Sequence, residues 1–125
     1  MAAINFQAQF ADSILRGEKR QTIRKRGKSK PPSVGDTLQL YAGMRNAAKF
    51  MHVVCSSVEQ INIMAEQGLV TMPRANFLGV ATWNELTPDE IDDLARADGF
   101  SDAVAFFAFF REQYGSSFSG YLIKW

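Results

Sequence analysis

The chain has 125 residues, 46% of them hydrophobic, and a formal net charge of +1 at pH 7, which fits one globular domain spanning residues 1–125. Its single cysteine, Cys55, excludes an intramolecular disulfide and a cysteine-based metal site, and it favours a reducing compartment. The chain starts without the pattern of a signal peptide and has no apolar run long enough to span a bilayer, so we expect a cytoplasmic protein with no membrane partner.

The first part of the chain predicts one short helix followed by two strands. Apolar residues at helical spacing predict a helix over Phe6–Leu15, which Gly17 ends. Short β-type segments predict strands at Gln21–Arg24 and Thr37–Tyr41. The basic and proline-containing segment Lys25–Ser33 lies between them and is expected to be a loop.

The middle of the chain is rich in β-type residues. Gly43–Asn46 is expected to turn, and Phe50–Ile63 then predicts one long strand or two short ones. Ala65–Asn76 shows no clear period and is expected to be a loop, whereas Phe77–Trp83 predicts a further strand.

The clearest local signal is a helix start near residue 87. Thr87, Pro88 and Glu90 stand in the order of an N-cap, a proline at the first helical position and a capping-box glutamate. We therefore expect a helix over Pro88–Ala97, which Gly99 ends in a left-handed conformation.

A second helix and a last strand complete the predicted elements. Ser101 is expected to cap a helix over Asp102–Tyr114, which Gly115 ends, and Tyr121–Trp125 is expected to form a closing strand. The order of elements indicates an α+β domain, with a small barrel or curled sheet flanked by helices.

The near-neutral total charge hides one basic and one acidic segment. Residues 16–30 contain eight basic residues against one acid, and residues 85–102 contain seven acids against one base. Such a basic segment is where a phosphate-bearing partner binds, although a solvated loop has the same composition.

Four segments, taken together, carry a family resemblance. They are Ile14–Arg24, with G-x-K at Gly17 to Lys19 and T-I-R at Thr22 to Arg24, followed by Val34–Leu38, Leu94–Phe100 and Phe118–Trp125. In this order, and over nearly the whole chain, they resemble the ASCH family of PUA-like domains. The resemblance implies a small PUA-like β-barrel of about five to six strands flanked by two to three helices, with a cleft lined by the first segment.

The resemblance also implies two kinds of activity. Some members are similar to RNA-binding modules, and others are bacterial N4-acetylcytidine amidohydrolases that use a lysine, a threonine and a glutamate. Lys19 and Thr22 match the lysine and threonine in type and spacing, and Asp98 stands where the glutamate falls. Asp98 is a departure, because its side chain is one methylene shorter. No cofactor or metal is implied.

The chemistry of deacylation assigns a role to each of these residues. Thr22 would attack the amide carbonyl once a neutral Lys19 takes its proton, which requires a lysine pKa well below its ordinary value. Asp98 would orient the substrate amine or carry a proton, and backbone amides or Arg24 would stabilise the oxyanion. A regular strand would place Lys19 and Thr22 on opposite faces, so the turn after Gly17 must break the alternation.

Two alternatives remain open at this point. The first is an RNA-binding module without catalysis, with Arg20, Arg24, Lys25, Arg26 and Tyr41 as the binding residues. The second is a ribonuclease that uses the same cleft, in its metal-dependent form with Asp92 and Asp93 beside Asp98 as oxygen ligands. The partner is a modified nucleoside or RNA in each case, and we expect a monomer or weak dimer. The spacing of Lys19 and Thr22 favours an enzyme.

Overall fold

A computed structural model describes residues 2–43, 48–75 and 77–125, with the backbone alone at 48–50. Within these ranges the chain forms eight strands, three α-helices and a short 3₁₀ helix over Ala8–Phe10. The strands are Ala2–Phe6 (β1), Gln21–Lys25 (β2), Thr37–Ala42 (β3), Ala48–Val54 (β4), Ser57–Met64 (β5), Leu69–Ala75 (β6), Ala81–Glu85 (β7) and Ser117–Lys124 (β8), and the helices are Ala11–Leu15 (α1), Pro88–Ala97 (α2) and Ala103–Tyr114 (α3).

The strands form two sheets rather than one closed barrel. The smaller sheet has the order β1-β3-β4 and the larger one β2-β8-β5-β6-β7. The β1–β3 pair is parallel and every other pair among the described strands is antiparallel. The expected α+β class is therefore confirmed, but eight strands replace the expected five to six, and no closed barrel is present among the described residues.

The expected helix over Phe6–Leu15 is wrong in its first half. Ile4 and Phe6 are buried and Asn5 is exposed, which is the alternation of a strand, and β1 accordingly pairs with β3. Only Ala11–Leu15 is α-helical. This difference matters for the site, because β1 carries Phe6 into it.

The expected loop over residues 65–76 is also wrong, because it contains β6. Val70 and Met72 are buried and alternate with less buried neighbours, which is the pattern of a strand. Pro73 is tolerated because β5 pairs with β6 only as far as Thr71, so its missing N–H breaks no bond to β5.

Two further boundaries differ from those expected. The strand predicted over Phe77–Trp83 begins only at Ala81, after a turn, and the last strand is longer than expected and starts at Ser117. The expectation of one long strand or two short ones over Phe50–Ile63 is confirmed in its second form, since β4 and β5 are separate strands. Of the turn predicted over 43–46, residues 44–46 lie outside the described residues.

The two long helices begin and end almost where the sequence predicts. In α2, Thr87 Oγ1 accepts from Glu90 N at 3.2 Å and Thr87 N donates to Glu90 Oε1 at 2.9 Å, which completes the capping box. In α3, the N-cap is Asp102 and not Ser101, since the Asp102 carboxylate accepts from Ala105 N at 2.8 Å.

The larger sheet separates two hydrophobic cores. One lies between this sheet and helices α2 and α3, and the other lies between it and the smaller sheet with α1. Neighbouring residues of β8 supply both, since Leu122 belongs to the first core and Ile123 to the second. Thr22 lies in β2, the edge strand of the larger sheet, and pairs with Ile123 of β8. In the described part of the chain, every helix is too short or too polar to cross a membrane.

Candidate active site

The end of α2 holds the first of the three residues that the sequence singles out. Asp98 is the C-cap, and Gly99 follows with φ +99°. Gly99 N donates to Arg96 O at 3.1 Å and Phe100 N to Ala95 O at 2.9 Å, which is the hydrogen-bond pattern of a Schellman motif. The helix therefore ends sharply, with the Asp98 side chain directed into the protein, where only 6% of the residue is exposed.

The turn after α1 positions Lys19. Gly17 has φ +77°, and Glu18 N and Lys19 N both donate to Ser13 O, at 2.9 and 3.1 Å. Because β2 begins only at Gln21, Lys19 lies before the strand and does not follow its alternation. The odd spacing of Lys19 and Thr22 is therefore compatible with one shared cleft, as the sequence argument required.

Lys19 and Asp98 form a buried pair. Lys19 Nζ donates to the Asp98 backbone oxygen at 2.5 Å and lies 3.3 Å from Asp98 Oδ1. The two side chains are 3% and 8% exposed. The aspartate therefore reaches the lysine although it is shorter than the glutamate of the amidohydrolases. The Phe10 ring centroid lies 4.9 Å from Nζ and closes this side of the pair.

A neighbouring glutamine, which the sequence argument missed, supports the carboxylate. Gln21 is 5% exposed and its Nε2 lies 3.4 Å from Asp98 Oδ1, at the long end of the hydrogen-bond range. Its position in β2, directly before Thr22, is the only signal that the sequence contains for it.

Thr22 and Arg24 lie on one face of β2. Arg24 Nε donates to Thr22 Oγ1 at 3.0 Å, and the Arg24 guanidinium carbon lies 4.8 Å from the Phe6 ring centroid. Thr22 is 4% exposed. A cationic donor on the hydroxyl oxygen favours loss of the hydroxyl proton, and it leaves that proton free to go to another group.

Burial is the largest influence on both ionisable members of the pair. It lowers the pKa of Lys19, against the raising effect of Asp98 and together with the lowering effect of Arg24. It raises the pKa of Asp98, against the lowering effects of Lys19 and Gln21. Both shifts favour the uncharged forms, an amine and a carboxylic acid, because charges are poorly solvated at this depth.

These side chains share one cleft of about 120 Å³. A single water needs roughly 10–15 Å³, so the cleft has space for several waters or one small planar group. Its polar members at the reactive end are Lys19, Thr22, Arg24 and Asp98. The rest of its lining is uncharged and consists of aromatic residues, carboxamides and one aliphatic residue: Phe6, Phe10, Phe100, Phe109, Phe110, Tyr114, Asn5, Gln7, Gln113 and Ile23.

Four of the five predicted binding residues do not line the cleft. Arg20 is exposed, and its backbone oxygen accepts from Trp125 N at 3.1 Å. Arg26 is exposed, with its guanidinium carbon 5.7 Å from the Tyr121 ring centroid. The hydroxyl of Tyr41 donates to Gln39 Oε1 at 2.9 Å. Neither Arg20, Arg26 nor Tyr41 lines the cleft, and Lys25 lines a separate groove beside it.

The acidic residues near Asp98 have other partners. Asp92 Oδ1 accepts from Ala103 N at 3.1 Å, and Asp93 pairs with Arg96 at 2.9 Å. Among the described residues, no group of three or more His, Cys, Asp or Glu side chains is placed to hold a metal ion. The metal cluster considered with the ribonuclease alternative is therefore not assembled there.

Comparison with known proteins adds no further assignment, because no family model, curated protein or solved structure matches the chain.

Proposed function

We propose that this chain is an ASCH-type, PUA-like domain that hydrolyses the acyl amide of an N4-acylated cytosine, in a nucleoside or in RNA. One observation carries the proposal. Lys19, Thr22 and Asp98 line a single cleft, and burial favours an uncharged amine at Lys19 and an uncharged acid at Asp98. Two titratable groups whose pKa values are displaced in opposite directions are the arrangement of an acid–base pair.

Acylation begins with proton transfer to Lys19. Thr22 Oγ1 attacks the acyl carbonyl carbon while its proton passes to Lys19 Nζ. Arg24, which already donates to Thr22 Oγ1, stabilises the oxyanion that develops beside it. The bond from the carbonyl carbon to N4 then breaks, and N4 takes the proton of the Asp98 carboxylic acid. The deacylated cytidine or RNA leaves. The acyl group stays on Thr22, and Lys19 and Asp98 are both charged.

Deacylation restores the starting state. A water attacks the ester carbonyl and gives its proton to the Asp98 carboxylate, while Lys19 returns its proton to Thr22 as the carbon–oxygen bond breaks. The products are a carboxylic acid and the free enzyme. The direct Lys19–Asp98 contact keeps both groups at one site through the cycle.

The lining of the cleft suits an uncharged pyrimidine. The Phe6 and Tyr114 rings offer aromatic surface, and the carboxamides of Asn5 and Gln113 offer both donors and acceptors to a base edge. The small volume favours a single base.

The test is hydrolysis of N4-acetylcytidine by the wild type, Thr22→Ala and Thr22→Ser. We expect turnover by the wild type, a loss of at least about 1,000-fold in kcat with Thr22→Ala, and partial activity with Thr22→Ser, which keeps a hydroxyl. Circular dichroism of each variant controls for folding. Full activity in a folded Thr22→Ala protein would contradict the mechanism.

A second candidate is the RNA-binding PUA-like module without catalysis. Its specific support is the exposed basic surface at Arg20, Lys25 and Arg26. If this candidate is right, the wild type and Thr22→Ala bind RNA equally well. Incubation with acetylated RNA then releases no acetate and does not shorten the RNA. Shortening of the RNA in the same assay would instead support the ribonuclease.

A further inference from the structure

A groove of about 530 Å³ lies beside the cleft, between β1 and the loop after β2. On one side it is lined by residues 2–5, the edge strand of the smaller sheet. Four cationic side chains line the other side: Arg24, Lys25, Lys28 and Lys30. We call this feature the basic groove.

The positive charge of the basic groove is available to a ligand. Lys25, Lys28 and Lys30 are exposed. The ion pairs found among the described residues use five other cations: Arg16, Lys19, Arg74, Arg96 and Lys124. Within the described part of the chain the groove lysines therefore have no acidic partner, and their field is directed at solvent.

The basic groove adjoins the cleft. Asn5 and Arg24 line both of them. A nucleotide whose base occupies the cleft can therefore extend along the groove, with its phosphates towards Lys25, Lys28 and Lys30.

The opposite wall adds backbone groups. β1 pairs only with β3 among the described strands, so its outer edge presents peptide N–H and C=O groups to the groove. These groups can bond to phosphate or sugar without reading a base sequence.

Resting on the proposed function, we infer that the basic groove binds the phosphodiester backbone of a single-stranded polynucleotide, so that the reacting cytosine is one residue of an RNA chain and not a free nucleoside. Single-stranded substrate is required because the base must leave its stack to enter a cleft of about 120 Å³. Lys28 and Lys30, outside the cleft, thereby determine substrate choice.

The hydrolysis test compares three substrates: N4-acetylcytidine, its 5′-monophosphate, and a short single-stranded oligoribonucleotide with one central N4-acetylcytidine. At low salt we expect kcat/KM for the oligoribonucleotide to exceed that for the nucleoside by at least about tenfold. In Lys28→Gln/Lys30→Gln this ratio falls towards one. Arg96→Gln/Arg111→Gln removes the same charge from exposed positions outside the groove and keeps the ratio. If the 5′-monophosphate has the same kcat/KM as the oligoribonucleotide, the groove binds a single phosphate, and the inference of a polynucleotide ligand is wrong.

A binding test separates this inference from the proposed chemistry. Fluorescence anisotropy measures the Kd of the unmodified oligoribonucleotide against salt, and each phosphate contact contributes about 0.7 to the slope of log Kd on log salt. We expect the slope to fall by about 1.4 in Lys28→Gln/Lys30→Gln and to change less in the control. Binding that does not depend on salt would contradict the inference, and so would an equal decrease of the salt slope in both double variants. If no substrate is hydrolysed but this binding pattern holds, the proposed function fails and the groove assignment stands.

Discussion

Lys19 Nζ lies 2.5 Å from the backbone oxygen of Asp98 and 3.3 Å from its Oδ1, across 79 residues of sequence. One residue thus holds the lysine by two different groups. The backbone oxygen is present whatever the carboxyl side chain becomes. The side chain alone sets the charge beside the lysine, so substitutions at Asp98 separate the position of Lys19 from its protonation.

Asp98→Asn tests the acid role directly. The variant keeps the backbone oxygen and the shape of the side chain, but it has no proton to give to the leaving N4. We expect kcat for N4-acetylcytidine to fall by about 100-fold or more, which is the usual contribution of a general acid. Asp93→Asn, which affects only an exposed ion pair, is the matched control. Equal rates in Asp98→Asn and the wild type would remove Asp98 from the mechanism.

The pH dependence of kcat/KM should shift in opposite directions in two variants. Activity requires both a neutral Lys19 and a protonated Asp98. We therefore expect kcat/KM to rise with pH as Lys19, whose pKa burial holds below its ordinary value of 10.5, loses its proton, and to fall again as Asp98 loses its proton. Asp98 raises the pKa of Lys19 and Arg24 lowers it. The rising limb should therefore move to lower pH in Asp98→Asn and to higher pH in Arg24→Gln.

These shifts are measured as pH profiles of the residual activity, with N4-acetylcytidine as the substrate. Lys19→Arg cannot become neutral and should have no rising limb in this range. If the rising limb of the pH profile stays at the same pH in Asp98→Asn and Arg24→Gln, a group other than Lys19 is responsible for it.

Gly99→Ala should impair both stability and activity. A Cβ there would lie 3.1 Å from the Phe10 ring and 3.4 Å from Lys19 Cδ, at a backbone φ of +99°. We expect the free energy of unfolding to fall by about 1 kcal/mol or more. We also expect kcat/KM to fall, by up to about 100-fold, because the Phe10 ring that closes one side of the Lys19–Asp98 pair has to shift. Denaturant unfolding and nucleoside hydrolysis measure the two effects.

Gly115→Ala is the matched control for this substitution. Gly115 also follows a helix and has φ +87°, but a Cβ there meets nothing within 4 Å. It should lose at least as much stability, because its ψ of −155° lies in a region that only glycine adopts readily, with little loss of kcat/KM. Equal loss of activity in both variants would mean that backbone strain, and not the close contact with Phe10 beside Lys19, is responsible.

The basic groove shows how a correct prediction of charge can miss its geometry. The sequence identified residues 16–30 as the basic segment, and Arg24 and Lys25 lie where a nucleic acid could bind. Arg20 and Arg26 do not line the groove, because the side chains around a loop point in different directions. Lys28 and Lys30 line it instead, and only the fold distinguishes them.

Local interactions explain what the sequence by itself determined. The capping box at Thr87 and the stop at Gly99 define α2, because their hydrogen bonds join residues a few positions apart. The G-x-K and T-I-R segments suggested a shared cleft for Lys19 and Thr22 through a family resemblance and not through the spacing alone, and both residues line the cleft of about 120 Å³.

Tertiary structure decided the rest. The parallel pairing of β1 with β3 joins segments more than 30 residues apart and turned an apparent helix start at Phe6 into a strand. The burial of Gln21 and the depth of Lys19 and Asp98 depend on how α1, α2 and β2 meet. Their pKa shifts follow from that burial. A sequence specifies near-neighbour bonds directly, whereas desolvation depends on every element that packs around a group.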